Sequence, residues 1–228
     1  MKSVFKLRAL RLLGACLISV QLCAPAAAAS LDDLFNAAKL GDAAEVAQLV
    51  KQGMDVNSSD PSGNTLLILA TREEQPKVIA ELLKQRGVKL DARNSAGDSA
   101  LMLASLRGFT EIAQQLLEAG AAFDHPGWNP LLYAAFEGRL AVVNLLLEKG
   151  ANPNVLAPNQ STPLMFAARN GHEDVVRALL KADANIDWKN DQNENAESWA
   201  GKNRNTDIVE LIQAERKARA GKLQLEIN

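Results

Sequence analysis

A hydrogen-bonding residue followed by a short apolar block recurs at Thr65-Leu66-Leu67-Ile68, Ser99-Ala100-Leu101-Met102, Asn129-Pro130-Leu131-Leu132 and Thr162-Pro163-Leu164-Met165, with a fainter copy at Asn195-Ala196. The leading residues of these blocks lie 34, 30, 33 and 33 positions apart. A near-constant period of this length marks stacked supersecondary units, none of which can bury its apolar face alone. Such a stack offers a long surface to a partner. The search for function therefore starts from a binding face rather than an enclosed pocket.

Within each unit the local signals agree on two short helices. Thr65, Ser99, Asn129, Thr162 and Asn195 can each accept a hydrogen bond from the free amides of a first helical turn, worth ~1 kcal/mol apiece. Pro130 and Pro163 sit at the first helical position, where a missing amide hydrogen costs nothing. A turn follows at Gly41, Gly108, Gly138 and Gly171. A second apolar run then begins, with three- and four-residue spacings such as Val142, Val143, Leu146 and Leu147 that share one helical face. Gly53, Gly87, Gly120 and Gly150, with Asp183 in the fifth unit, stand where a helix ends on a left-handed residue. Neither helix is expected to exceed about a dozen residues, so each is marginal alone and stacking must supply the stability.

These units resemble the ankyrin repeats. Thr162-Pro163-Leu164-Met165-Phe166-Ala167-Ala168-Arg169-Asn170-Gly171-His172-Glu173-Asp174-Val175-Val176 follows the family pattern almost throughout, as does Gly150-Ala151-Asn152-Pro153-Asn154. The resemblance implies an all-α solenoid of about six helix-turn-helix units joined by short hairpin-like loops, over 30–220, with units near 31–57, 60–91, 94–122, 124–154, 157–187 and 190–220. A tail is expected at 221–228. The polar stretch from Asp187 to Asn195 and the amphipathic helix from Asp207 to Ala220 suit a terminal unit that must tolerate water on one side. The family's motif histidine is replaced by Ile68, Met102, Leu132 and Met165, exchanging a polar link for apolar contact. The 30-residue gap leaves the loop from Ala121 to Trp128 about three residues short of its neighbours.

The first stretch stands outside the array. Lys2, Lys6, Arg8 and Arg11 precede an apolar run from Leu12 to Cys23 and the small-residue sequence Ala24-Pro25-Ala26-Ala27-Ala28-Ala29. This reads as a secretory signal peptide over 1–29, cleaved after Ala29. The apolar run is shorter than a membrane span requires. Cleavage removes four cations and no acid, taking the formal net charge from −2 to −6. A mildly acidic chain offers no basic stripe to nucleic acid. Cys16 and Cys23 leave with the leader, so the expected mature chain has no disulfide and relies on packed apolar surface. The expectation is an exported monomer in the bacterial periplasm, without a membrane span after cleavage; secretion to the medium as an effector acting on a host protein is the alternative.

Little in the chain points to chemistry. No Gly-rich phosphate loop follows a strand, and no His/Cys/Asp group has metal-ligand spacing, so neither a metal nor a cofactor is expected. His172 occupies the family's Gly-His turn and reads as structural. His125, beside Asp124 in the shortened loop, could serve as an acid or base in a hydrolase, although no serine or second histidine is tied to it by a motif. Asn57-Ser58-Ser59 and Asn159-Gln160-Ser161 fit a glycosylation sequon, which matters only in a eukaryotic secretory pathway. Arg216, Lys217, Arg219 and Lys222 read first as cations facing the carboxy-terminal dipole of their own helix.

The binding face can be placed by aligning the units. The resemblance implies that partners contact the loop tips and the exposed end of each first helix. The residues after the alanine pair are Arg72-Glu73, Leu106-Arg107, Phe136-Glu137, Arg169-Asn170 and Lys202-Asn203; the loop position before each cap holds Asn64, Asp98, Trp128, Ser161 and Glu194. Both series turn apolar only in the middle. Trp128, Phe136 and Leu106, flanked by Arg93, Arg107, Arg169 and His125, are thus expected to form a protein-binding patch, with the aromatic and arginine composition of interface hot spots. The competing arrangement has Trp128 and Phe136 covering each other across the short loop. Leu69, Leu103, Tyr133, Phe166 and Trp199 share one repeating helix position and read as packing residues.

Overall fold

The computed structural model describes residues 29–227, with side chains through residue 221. The leader reading therefore falls almost wholly outside the described residues. Six helix pairs follow in order: α1 (Leu31–Leu40) and α2 (Ala43–Lys51), α3 (Leu66–Arg72) and α4 (Pro76–Leu82), α5 (Ala100–Arg107) and α6 (Thr110–Glu118), α7 (Pro130–Phe136) and α8 (Leu140–Glu148), α9 (Pro163–Asn170) and α10 (Glu173–Lys181), α11 (Ala196–Lys202) and α12 (Thr206–Ile227). Apart from an isolated bridge between Ser59 and Thr65, the described residues contain no strand pairing.

Each repeat cap forms the bond its side chain permits. Thr65, Ser99, Asn129, Thr162 and Asn195 accept from the amides of Ile68, Met102, Leu132, Met165 and Ser198. Ser30 does the same for α1 through a reciprocal box with Asp33. The first helix of every unit packs on the first helix of the next, and the second helices form a parallel row behind them. One continuous apolar core lies between the rows. Ile68, Leu132 and Met165, standing where the family carries histidine, are fully buried in it, and Met102 at the same position is buried as well. Each large side chain so buried contributes roughly 1.5–3 kcal/mol, which short helices cannot gain singly.

Neighbouring units are also stitched by polar contacts. Beyond the first-helix turns of the fourth, fifth and sixth units, a side chain reaches back to the preceding unit: Arg139 Nε donates to Leu106 O at 3.1 Å, His172 Nε2 to Phe136 O at 3.0 Å, and Asn205 Nδ2 to Ala168 O at 2.9 Å. This close approach explains Gly138, where a Cβ would lie 2.5 Å from His172 Nδ1 at a backbone φ of 69°.

The terminal helix departs from expectation. At 22 residues α12 exceeds the anticipated dozen and runs through the tail boundary at 220. The segment carries no proline to stop it. Arg216, Lys217 and Arg219 consequently lie inside the helix and not in its last turn. Arg216 pairs with Asp187 and Glu197, while Arg219 donates to Leu180 O and Ala184 O, satisfying carbonyls at the end of α10.

Candidate functional site

Four loops build the same hairpin. The amides of Asp60, Asn94, Ala157 and Asn190 bond to the carbonyls of Asn64, Asp98, Ser161 and Glu194. Asp60, Asn94 and Asn190 fix the turn further, each accepting two loop amides with its side chain. Adjacent tips are joined from Ser95 N to Ser62 O at 2.9 Å and from Asn190 Nδ2 to Ser161 Oγ at 3.3 Å.

The loop from Asp124 to Trp128 has no residues to spare for this hairpin, and among the described residues it makes neither the cross-turn bond nor a link to a neighbouring tip. A second series breaks at the same place. Asn57, Asp91 and Asn154 accept the amides of Lys89, Ala122 and Asn185 in the following unit, at 2.8, 2.8 and 2.6 Å. Asp124 holds the equivalent position, four residues after Gly120, and forms no such bond among the described residues.

Released from the hairpin pattern, Trp128 packs across the first helices. Its ring lies between Tyr133 and Phe166, both 5.2 Å away with interplanar angles of 26° and 33°. Phe136 meets it edge-on at 6.3 Å and meets Phe166 at 5.8 Å. Phe166 in turn contacts Trp199 at 5.6 Å, and the Arg169 guanidinium sits 5.4 Å from the Trp199 ring centre. A string of aromatic rings thus runs through the fourth, fifth and sixth units. Phe166 and Trp199 are buried; Trp128, Phe136 and Tyr133 remain partly accessible.

The expected patch is therefore assembled differently from a row of open side chains. Trp128 and Phe136 meet edge-on, and Leu106, one unit earlier, is half-buried. Arg93 is exposed and donates to Gly97 O at 3.3 Å; Arg107 is exposed and lies 5.9 Å from the Phe109 ring centre. Tyr133 and its equivalents Phe166 and Trp199, read from the sequence as packing residues, join the cluster that alignment centred on Trp128, Phe136 and Leu106. Their signal was present: aromatic residues at 133, 166 and 199, one period apart. Tyr133 also donates to Asp98 Oδ1 at 2.8 Å. Burial, reinforced by that bond and the Asp98 charge, pushes its hydroxyl up to about 12.

His125 is half-buried, with Nδ1 3.3 Å from Pro126 O and a buried Nε2 that has no hydrogen-bond partner among the described residues. The groove beside it, about 580 Å3, is lined by Asp124, Pro126, Gly127, Val155, Leu156, Ala157, Pro158 and Gln160. None of these lining side chains is a serine, threonine, cysteine or lysine nucleophile for the histidine to activate. Trp188, half a loop away in the fifth unit, donates from its indole to Gln160 O at 2.7 Å. Among the described residues no group of three or more His, Cys, Asp or Glu could hold a metal ion, and no helix is long and apolar enough to cross a membrane.

The geometry defines a helical repeat solenoid with an aromatic first-helix face. Family models of ankyrin repeats match residues 80–157 and 150–221, and a single ankyrin repeat matches 62–95. The chain belongs to the ankyrin-repeat family. It is 27% identical over 141 residues to an ankyrin repeat protein of Rickettsia bellii, a match covering 56% of this chain and 39% of that protein. Against the mouse B-cell lymphoma 3 protein homolog identity is 35% over 113 residues, or 46% of this chain and 25% of the relative. A Candida albicans glycerophosphocholine phosphodiesterase is 32% identical over 106 residues, 44% of this chain but only 9% of that enzyme. The chain thus spans well under half the length of these curated relatives. A crystal structure of the ankyrin repeat protein EF0377 superposes with a TM-score of 0.74 at 26% identity, covering 82% of this chain and 98% of the other. The Bcl-3 ankyrin domain gives 0.71 at 32% identity, covering 78% and 81%.

Proposed function

We propose that this chain is an exported, non-enzymatic binding protein of the bacterial envelope that engages another envelope protein through its first-helix face, protecting or inhibiting it. Ankyrin repeats are protein-interaction modules, and the aromatic string carries the reading here. Trp128 and Phe136 remain partly accessible in the middle of the stack, and Arg93, Arg107 and Arg169 are exposed in the units around them. Rigid aromatic rings with adjacent arginines supply large contact area at low entropic cost, the combination that dominates interface hot spots. Export is supported by the basic, apolar and small-residue order of the first 29 positions.

Two measurements test the reading. Cell fractionation should place the protein in the periplasm with Ser30 at its amino terminus; an intact amino terminus in the cytoplasm would defeat the export part, and accumulation in the medium would favour a secreted effector. In-cell crosslinking should give one dominant protein adduct that Phe136→Asp abolishes while the variant stays folded. Loss of the adduct only on unfolding would assign Phe136 to packing.

A further inference from the structure

The charges around the aromatic string are unevenly satisfied. Three acidic groups close to it are already engaged: Asp98 accepts the Tyr133 hydroxyl, Glu137 pairs with Arg139, and Glu194 accepts from both the Trp199 indole and Lys202, which leaves Asp124 at the edge of the short loop. The arginines are not. Among the described residues, none of Arg93, Arg107 and Arg169 has a carboxylate within 4.0 Å. Arg93 contacts a backbone carbonyl, and Arg107 and Arg169 lie over aromatic rings. Beside Arg169, a hollow of about 310 Å3 is lined by Trp199, Gln192, Lys202, Asn203 and Glu194, the last already held by Lys202 and the Trp199 indole. This cationic stretch sits on a chain whose net charge is negative. At the amino-terminal end Glu73 follows Arg72, whereas the three arginines without a carboxylate partner border the third to fifth units.

We infer that this face takes an extended acidic segment of a partner polypeptide, with carboxylates at Arg93 and Arg169 and an apolar side chain between them against Phe136 and Trp128. The inference rests on the binding role proposed above and adds the chemistry of the partner. Charge complementarity points to carboxylates, since an arginine already held over a ring keeps its guanidinium edge free for a bidentate bond. The aromatic centre distinguishes a polypeptide carrying apolar side chains from a plain polyanion. An acidic partner would also be steered toward this face and away from the acidic remainder of the surface.

The test is fluorescence anisotropy of the purified protein with a short dye-labelled peptide alternating Glu with Leu and Phe. Its Lys-for-Glu counterpart, polyglutamate and phosphatidylglycerol vesicles serve as comparisons. The mixed acidic peptide should bind at least about tenfold more tightly than the other three. A tenfold rise in ionic strength should weaken it by about tenfold, and Arg93→Glu with Arg169→Glu should weaken it by at least as much. Equal binding of the Lys peptide, or unchanged affinity in the folded double variant, overturns the inference. Equally tight polyglutamate or vesicles would mark a general anion surface and overturn it as well. Should the double variant unfold, the salt response and the Lys peptide decide on the wild-type protein. A crosslinked partner lost in Phe136→Asp, combined with a failed peptide test, leaves partner binding standing and removes only its acidic chemistry.

Discussion

Replacing Trp128 by alanine tests whether the irregular loop is held by its own aromatic residue. A fully buried tryptophan costs about 3–5 kcal/mol on truncation. Trp128 is only half-buried, which reduces the area contribution to roughly half, but truncation also removes one stacked and one tilted ring contact at 5.2 Å and an edge contact at 6.3 Å. Aromatic pairs add about 0.5–1.5 kcal/mol each beyond area, with incomplete additivity. The expected destabilisation is about 2–3 kcal/mol. For a domain of this size it corresponds to a melting temperature lower by about 5–10 °C. Thermal unfolding followed by circular dichroism reads the loss, and a cycle with Phe166→Leu should return a coupling of about 1 kcal/mol. Trp188→Ala is the control: that indole has no aromatic neighbour among the described pairs and should cost about 1 kcal/mol or less. A loss at Trp128 below about 1 kcal/mol, or zero coupling with Phe166, would show that the ring is not packed and that the string does not brace the short loop.

Further outcomes follow from the same geometry. Tyr133 is the single tyrosine, so tyrosinate absorbance reports it alone; it should titrate near 12, and Asp98→Asn should lower that value while leaving it above 10 because burial is the larger cause. Its raised value favours the neutral form, so this contribution to stability is complete below pH 10 and disappears as pH rises toward 12. Gly138→Ala should cost about 1–3 kcal/mol in chemical denaturation, more than Gly120→Ala: both need a left-handed backbone, but only at Gly138 would the new methyl group meet a side chain. Hydrogen bonds from Gln213, then Arg216, hold the Glu197 carboxyl below its ordinary 4.5. The contribution is therefore present above that value and lost as pH falls beneath it, and Glu197→Gln should flatten the acid limb of a stability profile.

Much of this was legible before any coordinates, because ankyrin-type units are dictated by local chemistry. The caps at Thr65, Ser99, Asn129, Thr162 and Asn195, the left-handed glycines and the three- and four-residue apolar spacing each act within a few residues. Their consequence, two short helices per period, could be read directly. The role of His172 was also visible in part, although its acceptor, the carbonyl of Phe136, lies in another unit. The length of α12 was not legible, since it depends on what Arg216 and Arg219 find on α10 and α11 and not on a stop signal in the helix itself.

The sequence by itself determined the repeat, its period and the place where that period fails. Those are properties of residue order, and each hydrogen bond or apolar stripe behind them is short-range. What the tertiary structure decided is the fate of the failure. Three missing residues abolish one hairpin and its links to both neighbours, and the freed Trp128 settles between Tyr133 of its own unit and Phe166 of the next. Which ring it would meet depended on how far one unit is displaced and rotated from the next. That displacement is set by packing along the whole stack and is written in no single segment.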